Sequence, residues 1–307
     1  MNAVLLIGST GQIGTELQLT LSSKFVVYPV TRSIVNLTEL NTLRRIIRDV
    51  KPYIIINAAA YTAVDKAESQ PELAHTINAK APEAIAQEAN KLGAFFIHIS
   101  TDYVFDGKAS RPYRETDPTC PINIYGKTKL AGEEAIHEFC PNHLILRTAW
   151  VYGTFGKSNF VKTMLRLGTQ QEQIRVVADQ TGTPTWSRDI AVTITQLAEK
   201  ISQSNGEKSI VGTYHFTNGG VATWYDFAVA IFDYTSRLGK SLKVEKVTPI
   251  TTAEYPTPAL RPNYSVLDCA KIYQILGTHP THWQQSLKEM LAQLHENSDE
   301  STYSLWG

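Results

Sequence analysis

Short apolar runs alternate with amphipathic stretches along the first half of the chain. Runs without polar alternation are typical of strands buried on both faces, and strands that alternate with helices form parallel sheets. Between them, residues 37–50 and 71–93 carry apolar side chains at helical spacing. The pattern predicts an α/β fold with a doubly wound, Rossmann-type parallel sheet. The apolar runs lie at residues 3–7, 25–30, 53–57, 94–100 and 143–148.

The alternation loosens after about residue 150. We expect a dinucleotide-binding domain over residues 1–153, to which later strands from about 183–216 return. A smaller C-terminal α/β lobe over 154–295 would bind the substrate, and 296–307 would form a frayed tail. The proline-rich stretch 255–265 excludes regular helix, so it is either a rigid wall of a cleft or a surface connector.

Composition narrows the function classes. The 307 residues are 43% hydrophobic and 19% charged, which is typical of a globular protein. Lysine plus arginine equals aspartate plus glutamate, 29 each, so no basic surplus exists to bind nucleic acid. No apolar run is long enough for a membrane helix, and residues 3–7 lack the flanks of a signal peptide. Three cysteines without metal or disulfide spacing favour a reducing cytoplasm, and we predict no metal site.

A glycine-rich turn follows the first apolar run. Its sequence, GSTGQIG over residues 8–14, has glycines at Gly8, Gly11 and Gly14 and precedes a helix-like stretch. Such a turn lets backbone N–H groups and a helix N-terminus approach a pyrophosphate. The alternative is an ordinary strand–helix turn, but the position after a strand favours a dinucleotide cofactor.

The residues after the second apolar run bear on which cofactor is used. Dinucleotide folds that prefer NAD place a carboxylate there, whereas this chain has Thr31, Arg32 and Ser33. Arginine can bind a 2′-phosphate through two parallel hydrogen bonds. We therefore expect NADPH, with NADH as the alternative if Arg32 is only a solvated loop residue.

A tyrosine and a lysine lie four residues apart in YGKTK, residues 125–129. On a helix Tyr125 and Lys129 share a face and Lys127 points away. An ammonium beside a phenol lowers the pKa of the phenol, which would make Tyr125 a proton donor near neutral pH. Thr101, at the end of the run 94–100, adds a hydroxyl at the same edge of the sheet. The alternative is a solvated helix face without function.

Together these motifs resemble the extended short-chain dehydrogenase/reductase superfamily, and within it the dTDP-4-dehydrorhamnose reductase family. The resemblance covers residues 3 to about 290. It rests on GSTGQIG (8–14), NAAAYTAVDKAE (57–68), STDYVFDG (100–107), NIYGKTKLAGE (123–133), RTAWVYG (147–153), NFVKTML (159–165), DQTGTPT (179–185) and YPTPALRPNYS (255–265).

The resemblance implies roles for individual residues. Thr101, Tyr125 and Lys129 match the catalytic triad, and Thr101, Asp102, Tyr125 and Trp150 match substrate contacts. Asn36 stands where the family usually has an aspartate near the adenine. Glu16 matches a glutamate that holds magnesium between subunits in some members, but Arg188 replaces another. Cofactor contacts are implied for Gly8, Thr10, Gly11, Gln12, Ile13, Gly14, Arg32, Asn36, Leu37, Ala59, Ala60, Tyr61, Thr62, Tyr125 and Lys129.

The implied activity is the NADPH-dependent reduction of a nucleotide sugar at its C4 ketone, the last step of dTDP-L-rhamnose biosynthesis. Tyr125 would donate the proton, while Lys129 would lower its pKa and bind the nicotinamide ribose. Two alternatives share the scaffold. One is a non-catalytic, cofactor-binding regulatory subunit, which the retained triad disfavours. The other is an epimerase or a dehydratase. A dehydratase of this superfamily has an Asp-Glu pair after the threonine, whereas this chain has Asp102 followed by Tyr103, which disfavours a dehydratase more than an epimerase. A homodimer is compatible with the resemblance.

Overall fold

A computed structural model of the chain describes residues 1–203 and 210–300, with side chains up to residue 296. The end of the expected tail, 301–307, lies outside the described residues. The strands are β1 (Ala3–Ile7), β2 (Val26–Val30), β3 (Ile54–Asn57), β4 (Phe95–Thr101), β5 (His143–Thr148), β6 (Val151–Tyr152), β7 (Gln173–Val177), β8 (Thr181–Gly182), β9 (Thr185–Trp186), β10 (Gly212–His215), β11 (Ala222–Thr223) and β12 (Lys246–Ile250).

The helices separate these strands along the chain. A π-helical turn at Thr76–Lys80 and 3₁₀ turns at Asp102–Val104 and Thr252–Glu254 complete the described elements. The helices are α1 (Gln12–Leu21), α2 (Leu40–Val50), α3 (Val64–Ser69), α4 (Pro71–His75), α5 (Ala81–Leu92), α6 (Ile124–Phe139), α7 (Phe160–Gln170), α8 (Ser187–Gln203), α9 (Trp224–Arg237), α10 (Ala270–Leu276) and α11 (Trp283–Glu300).

Six strands form one sheet in the order β10-β5-β4-β3-β1-β2. All five pairings are parallel. The chain runs outward from β1 to β2 and then crosses back to β3 on the other side of β1. In open α/β sheets, ligands bind at the carboxyl ends of the strands where the order reverses. The predicted Rossmann-type fold class is confirmed.

Helices cover both faces of the sheet, and β1 shows why. Val4 and Leu6 pack into a core with α1 and α8, whereas Leu5 and Ile7 pack into a second core with α2 and α5. Successive side chains of a strand point to opposite faces, so a strand covered on both sides must be apolar throughout. The apolar run 3–7 has no polar residue because both faces of β1 are covered by helices.

A third apolar core lies among the elements that follow β5. It joins α7, α9 and α11 around Tyr152, Trp186 and Phe227, next to the parallel pair of β7 and β12. Strand β10 pairs with β5 in the main sheet. The division into a cofactor domain and a substrate lobe stays a prediction.

The expected helix over residues 71–93 is interrupted. It consists of α4, the π turn Thr76–Lys80 and α5. Pro82 lies in the first turn of α5 and has no N–H to donate to the carbonyl oxygen of Asn78, four residues back. The helical hydrogen-bond ladder therefore changes register there, and π turns of this kind are frequent at functional sites.

Candidate active site

The glycine turn lies between β1 and α1 at the edge where the strand order reverses. Gly8 has φ +81° and donates its N–H to Val30 O at 2.9 Å. A Cβ at Gly8 would lie 2.7 Å from Ala59 N, and one at Gly14 would lie 2.1 Å from Gly8 O. Only glycine permits this close packing. Helix α1 begins after Gly11 without a side-chain cap, so the start of the helix is suited to an anion.

The other residues of the turn have different environments. Thr10 is exposed, and Ile13 packs against the core beneath the turn. Gln12 Oε1 accepts a hydrogen bond from Asn159 Nδ2 at 2.8 Å, and the same Asn159 caps α7. Gln12 thus connects the glycine turn to the C-terminal half of the chain.

The loop after β2 presents Arg32 to solvent. Its guanidinium makes no hydrogen bond or ion pair with any residue that the structure describes, while the Thr31 and Ser33 hydroxyls lie 2.7 Å apart. Asn36 Oδ1 accepts from Thr38 N at 3.2 Å, and Leu37 is buried in the core with α2 and α5. The guanidinium is therefore available to an anionic ligand.

The segment after β3, Ala59–Ala60–Tyr61–Thr62, is held by two asparagines that sequence reasoning did not single out. Ala59 N donates to Asn57 Oδ1 at 3.1 Å. Tyr61 N donates to Asn78 Oδ1 at 2.8 Å, and Asn78 Nδ2 donates back to Tyr61 O at 3.1 Å. Asn78 belongs to the π turn and also donates to Thr128 Oγ1 on α6 at 3.1 Å. The π turn therefore joins the loop to α6.

Helix α6 brings Tyr125 against the end of β4. The helix begins after Asn123, whose Oδ1 accepts from Gly126 N at 2.8 Å. Burial raises the pKa of Tyr125 to about 12, a hydrogen bond with Thr101 opposes the rise, and the charge of Asp102 adds to it. Thr101 Oγ1 also donates to Asp102 Oδ1 at 3.0 Å. The phenol therefore holds its proton at neutral pH.

Lys129 shares the buried face of α6 with Tyr125, whereas Lys127 is exposed. Lys129 Nζ donates to Ile99 O at 2.7 Å and lies 3.0 Å from His98 Nε2. Burial lowers the pKa of Lys129 to about 8, although the charge of Glu133 raises it. The expected lowering of the pKa of Tyr125 by Lys129 is not found, because the amine is turned toward β4 and burial dominates at the phenol.

A buried ion pair lies one helical turn beyond Lys129. Arg147 Nη2 on β5 is 2.6 Å from Glu133 Oε2, and Ser100 Oγ also donates to Glu133. The pair ties α6 to β4 and β5 directly beneath the ends of the strands. Sequence reasoning missed it, since the three residues come from separate elements.

Asp102 and Trp150, the two implied substrate contacts, lie in different surroundings. Burial raises the pKa of Asp102 to about 6, and hydrogen bonds with Ser265 and Thr101 lower it in part. Trp150 has φ +49° and stacks on Trp224, with ring centroids 3.5 Å apart. The structure brings Thr101, Asp102 and Tyr125 together, whereas the indole of Trp150 stacks on Trp224 of α9. Within residues 1–203 and 210–300, no group of three or more histidine, cysteine or acidic side chains could hold a metal ion.

The chain matches a known protein family over almost its whole length. Residues 1–296 match the family described as RmlD substrate binding domain. A dTDP-4-dehydrorhamnose reductase from Escherichia coli (strain K12) is 43% identical over 295 residues, which cover 95% of this chain and 97% of that protein. The chain belongs to the dTDP-4-dehydrorhamnose reductase family. The family resemblance predicted from the motifs is confirmed.

Solved structures of this family share the fold. A dTDP-4-dehydrorhamnose reductase from Clostridium acetobutylicum ATCC 824 is 40% identical, with a TM-score of 0.87. One from Bacillus anthracis str. Ames, in complex with NADP, is 37% identical, also with a TM-score of 0.87. Each comparison covers 95% of this chain and 99% of the other. Among the described helices, none has the length and apolar character needed to cross a membrane.

Proposed function

We propose that this protein is an NADPH-dependent reductase that converts dTDP-4-dehydro-β-L-rhamnose to dTDP-β-L-rhamnose, the last step of dTDP-L-rhamnose biosynthesis. The observation that carries the proposal is the buried phenol of Tyr125 beside Thr101, at the crevice edge of a doubly wound sheet. Relatives that match almost the whole chain are dTDP-4-dehydrorhamnose reductases.

The residues present fit a phosphorylated dinucleotide. The glycine turn and the start of α1 would hold the diphosphate, and Arg32 would bind the 2′-phosphate. Asn36 and Leu37 would lie near the adenine, and residues 59–62 would line the remainder of the cofactor. When bound, the cofactor supplies the hydride that reduces C4. A similar protein was solved with NADP, which supports NADPH over NADH.

The chain's own contribution is to position the ketone and protonate its oxygen. Thr101, whose hydroxyl donates to Asp102 Oδ1 in this structure, would turn that proton toward the ketone oxygen, and Tyr125 would transfer its own proton as negative charge develops there. A phenol that holds its proton at neutral pH is in the form that this step requires. Lys129 would contact the nicotinamide ribose. Asp102 and Trp150 would contact the sugar.

Compartment and assembly belong to the same proposal. Cys120, Cys140 and Cys269 are all free thiols, and two of them are buried, which suits the reducing cytoplasm. A homodimer stays a prediction that light scattering on the purified protein would test.

A spectrophotometric assay tests the proposed reaction. The purified protein is incubated with dTDP-4-dehydrorhamnose and NADPH, and the absorbance of the reduced nicotinamide is followed. We expect one NADPH oxidised per ketone reduced, and no oxidation with UDP-glucose in place of the ketone. If NADPH binds but is not oxidised, the reductase function is wrong and a regulatory subunit is favoured.

A further inference from the structure

Three buried side chains from three elements form a continuous line of hydrogen bonds behind the candidate site. Asn57 ends β3, His98 lies opposite it on β4, and Lys129 lies on α6. Each is at most 1% exposed. Asn57 Nδ2 is 3.2 Å from His98 Nδ1, and His98 Nε2 is 3.0 Å from Lys129 Nζ. Buried polar groups gain most when every donor meets an acceptor, so the direction of each bond matters.

The backbone of the cofactor-lining loop sets that direction. Ala59 N–H donates to Asn57 Oδ1 at 3.1 Å, which fixes the carbonyl end of the amide toward the loop. The amide nitrogen therefore faces His98 Nδ1, and an amide nitrogen can only donate. His98 Nδ1 must accept, so the proton of the neutral ring lies on Nε2.

That proton points at Lys129. An ammonium has three donors and no lone pair, so only a neutral amine can accept from His98 Nε2–H. The same amine donates to Ile99 O at 2.7 Å. Every hydrogen bond then runs one way, from Ala59 N–H through Asn57, His98 and Lys129 to the carbonyl oxygen of Ile99.

Among the ionisable groups near this amine, Tyr125 and Glu133 are buried on α6 with Lys129, and Arg147 on β5 pairs with Glu133. Glu133 favours a charged lysine, but its carboxylate is already paired with Arg147 at 2.6 Å. The histidine ring itself is held neutral, since complete burial lowers its pKa. Among these groups, the charge of Glu133 is therefore the one that opposes this direction of hydrogen bonding, and Arg147 already compensates it.

We propose that Asn57 and His98 are positioning residues that fix the tautomer facing Lys129, hold its amine at the end of β4 and favour its neutral form. This inference rests on the proposed function. The arrangement of Asn57 and His98 makes Lys129 a group that exchanges protons near neutral pH during turnover, and not a permanent cation. It also connects the loop that lines the cofactor to the lysine, through Ala59.

The tautomer of His98 is measured by ¹⁵N NMR of the imidazole nitrogens in the full-length protein, with His98→Gln used for assignment. We expect an unprotonated Nδ1 and a protonated Nε2 at neutral pH. A protonated Nδ1, alone or together with Nε2, would overturn the proposal. The measurement needs no turnover, so its failure leaves the reductase function untouched.

A variant that reverses the chain tests the effect on Lys129. In Asn57→Asp the carboxylate can only accept, so His98 must protonate Nδ1 and present a bare Nε2 to the amine. With lysine labelled at ¹³Cε and assigned by Lys129→Met, we expect the amine pKa to rise by about one unit or more. The surface variant His137→Gln should not move it. An unchanged pKa, or a rise without the tautomer change, contradicts the proposal.

Kinetics of two substitutions at His98 keep the proposal testable if Asn57→Asp does not fold. The amide of His98→Gln can still donate to the amine, whereas His98→Leu cannot. We expect His98→Leu to lower kcat by about tenfold or more and shift its pH profile, with His98→Gln recovering most of both. Equal effects of the two variants would show that His98 only fills space.

Discussion

Tyr125 is set apart from surface tyrosines by burial and by its hydrogen bond with Thr101. If it is the proton donor, Tyr125→Phe should lower kcat by about 10²-fold or more, because the alkoxide loses its acid. The cofactor KM should change little, since the ring remains. Steady-state kinetics measure both. Tyr225→Phe on α9, outside the site, is the matched control, and near-normal turnover in Tyr125→Phe would remove the assignment.

Arg32 is the residue that we expect to choose the cofactor. Its guanidinium is exposed and unpaired among the described residues, so it can bind a 2′-phosphate without losing another partner. Arg32→Ala should raise the NADPH KM and cut the preference over NADH by roughly tenfold, since about 1.4 kcal/mol is a decade. We expect kcat to stay nearly constant because the contact is the same in ground and transition states.

The comparison needs four KM values, from wild type and variant with each cofactor. Arg45→Ala, which removes an exposed charge from α2, should leave the preference as it is. A wild type that prefers NADH, or an Arg32→Ala variant with unchanged preference, would mean that Arg32 is only a solvated loop residue.

Single residues were predictable where a local pattern revealed them. The spacing of Tyr125, Lys127 and Lys129 gave the correct exposed and buried faces of α6. The pKa of the phenol was not predictable, because the partner of Lys129 is His98, 31 positions earlier in the chain. A histidine inside an apolar strand run is the signal that could have indicated it.

At the scale of elements, Glu88 joins α2 to α5. Its carboxylate is 1% exposed and meets Arg44, Arg48 and Lys91 at 3.1, 2.6 and 3.0 Å. Hydrogen bonding by Arg48, first among several causes, lowers the pKa of Glu88 from 4.5 to about 2. A lowered pKa gives stability that is present above pH 4.5 and lost as pH falls toward 2.

Glu88→Gln should therefore lower the free energy of unfolding at pH 7 by about 2 kcal/mol, after allowance for the exposure of Arg48 and Lys91. The difference from wild type should shrink as pH falls from 4.5 toward 2. Denaturant unfolding at several pH values measures it. Glu134→Gln, an exposed change on α6, is the control. A difference that is constant with pH would show that ionisation of Glu88 does not stabilise the fold.

Helices and strands were easier to predict when they were long and when the apolar residues of a strand were uninterrupted. Strands β1 and β3 coincide with apolar runs because both are almost fully buried between the two layers of helices. The run 25–30 predicts the same burial for β2, but this prediction is wrong, because β2 is an edge strand on which Val26 and Tyr28 are exposed. The two-residue strands β6, β8, β9 and β11 were not predictable, since their pairing depends on distant partners. The π turn at Thr76–Lys80 was hidden inside a helical pattern, and Pro82 in the first turn of α5 is the local signal that could have indicated it.

At the scale of the whole molecule, the reversal of strand order gathers segments far apart in sequence. The glycine turn, the loop after β3 and Thr101 at the end of β4 all lie at the carboxyl edge of one parallel sheet. This could be predicted from the strand–helix alternation. The stack of Trp150 on Trp224 could not, because it joins β5's end to α9 across a stretch with no regular period.

The most direct test of the central claim follows the transferred hydrogen. NADPH deuterated at the position that donates the hydride is incubated with dTDP-4-dehydrorhamnose and the protein, and the product is examined by NMR and mass spectrometry. We predict dTDP-rhamnose with one deuterium, bound to C4, and one equivalent of NADP⁺. A product without deuterium at C4, or a sugar altered while the cofactor stays reduced, would contradict the account.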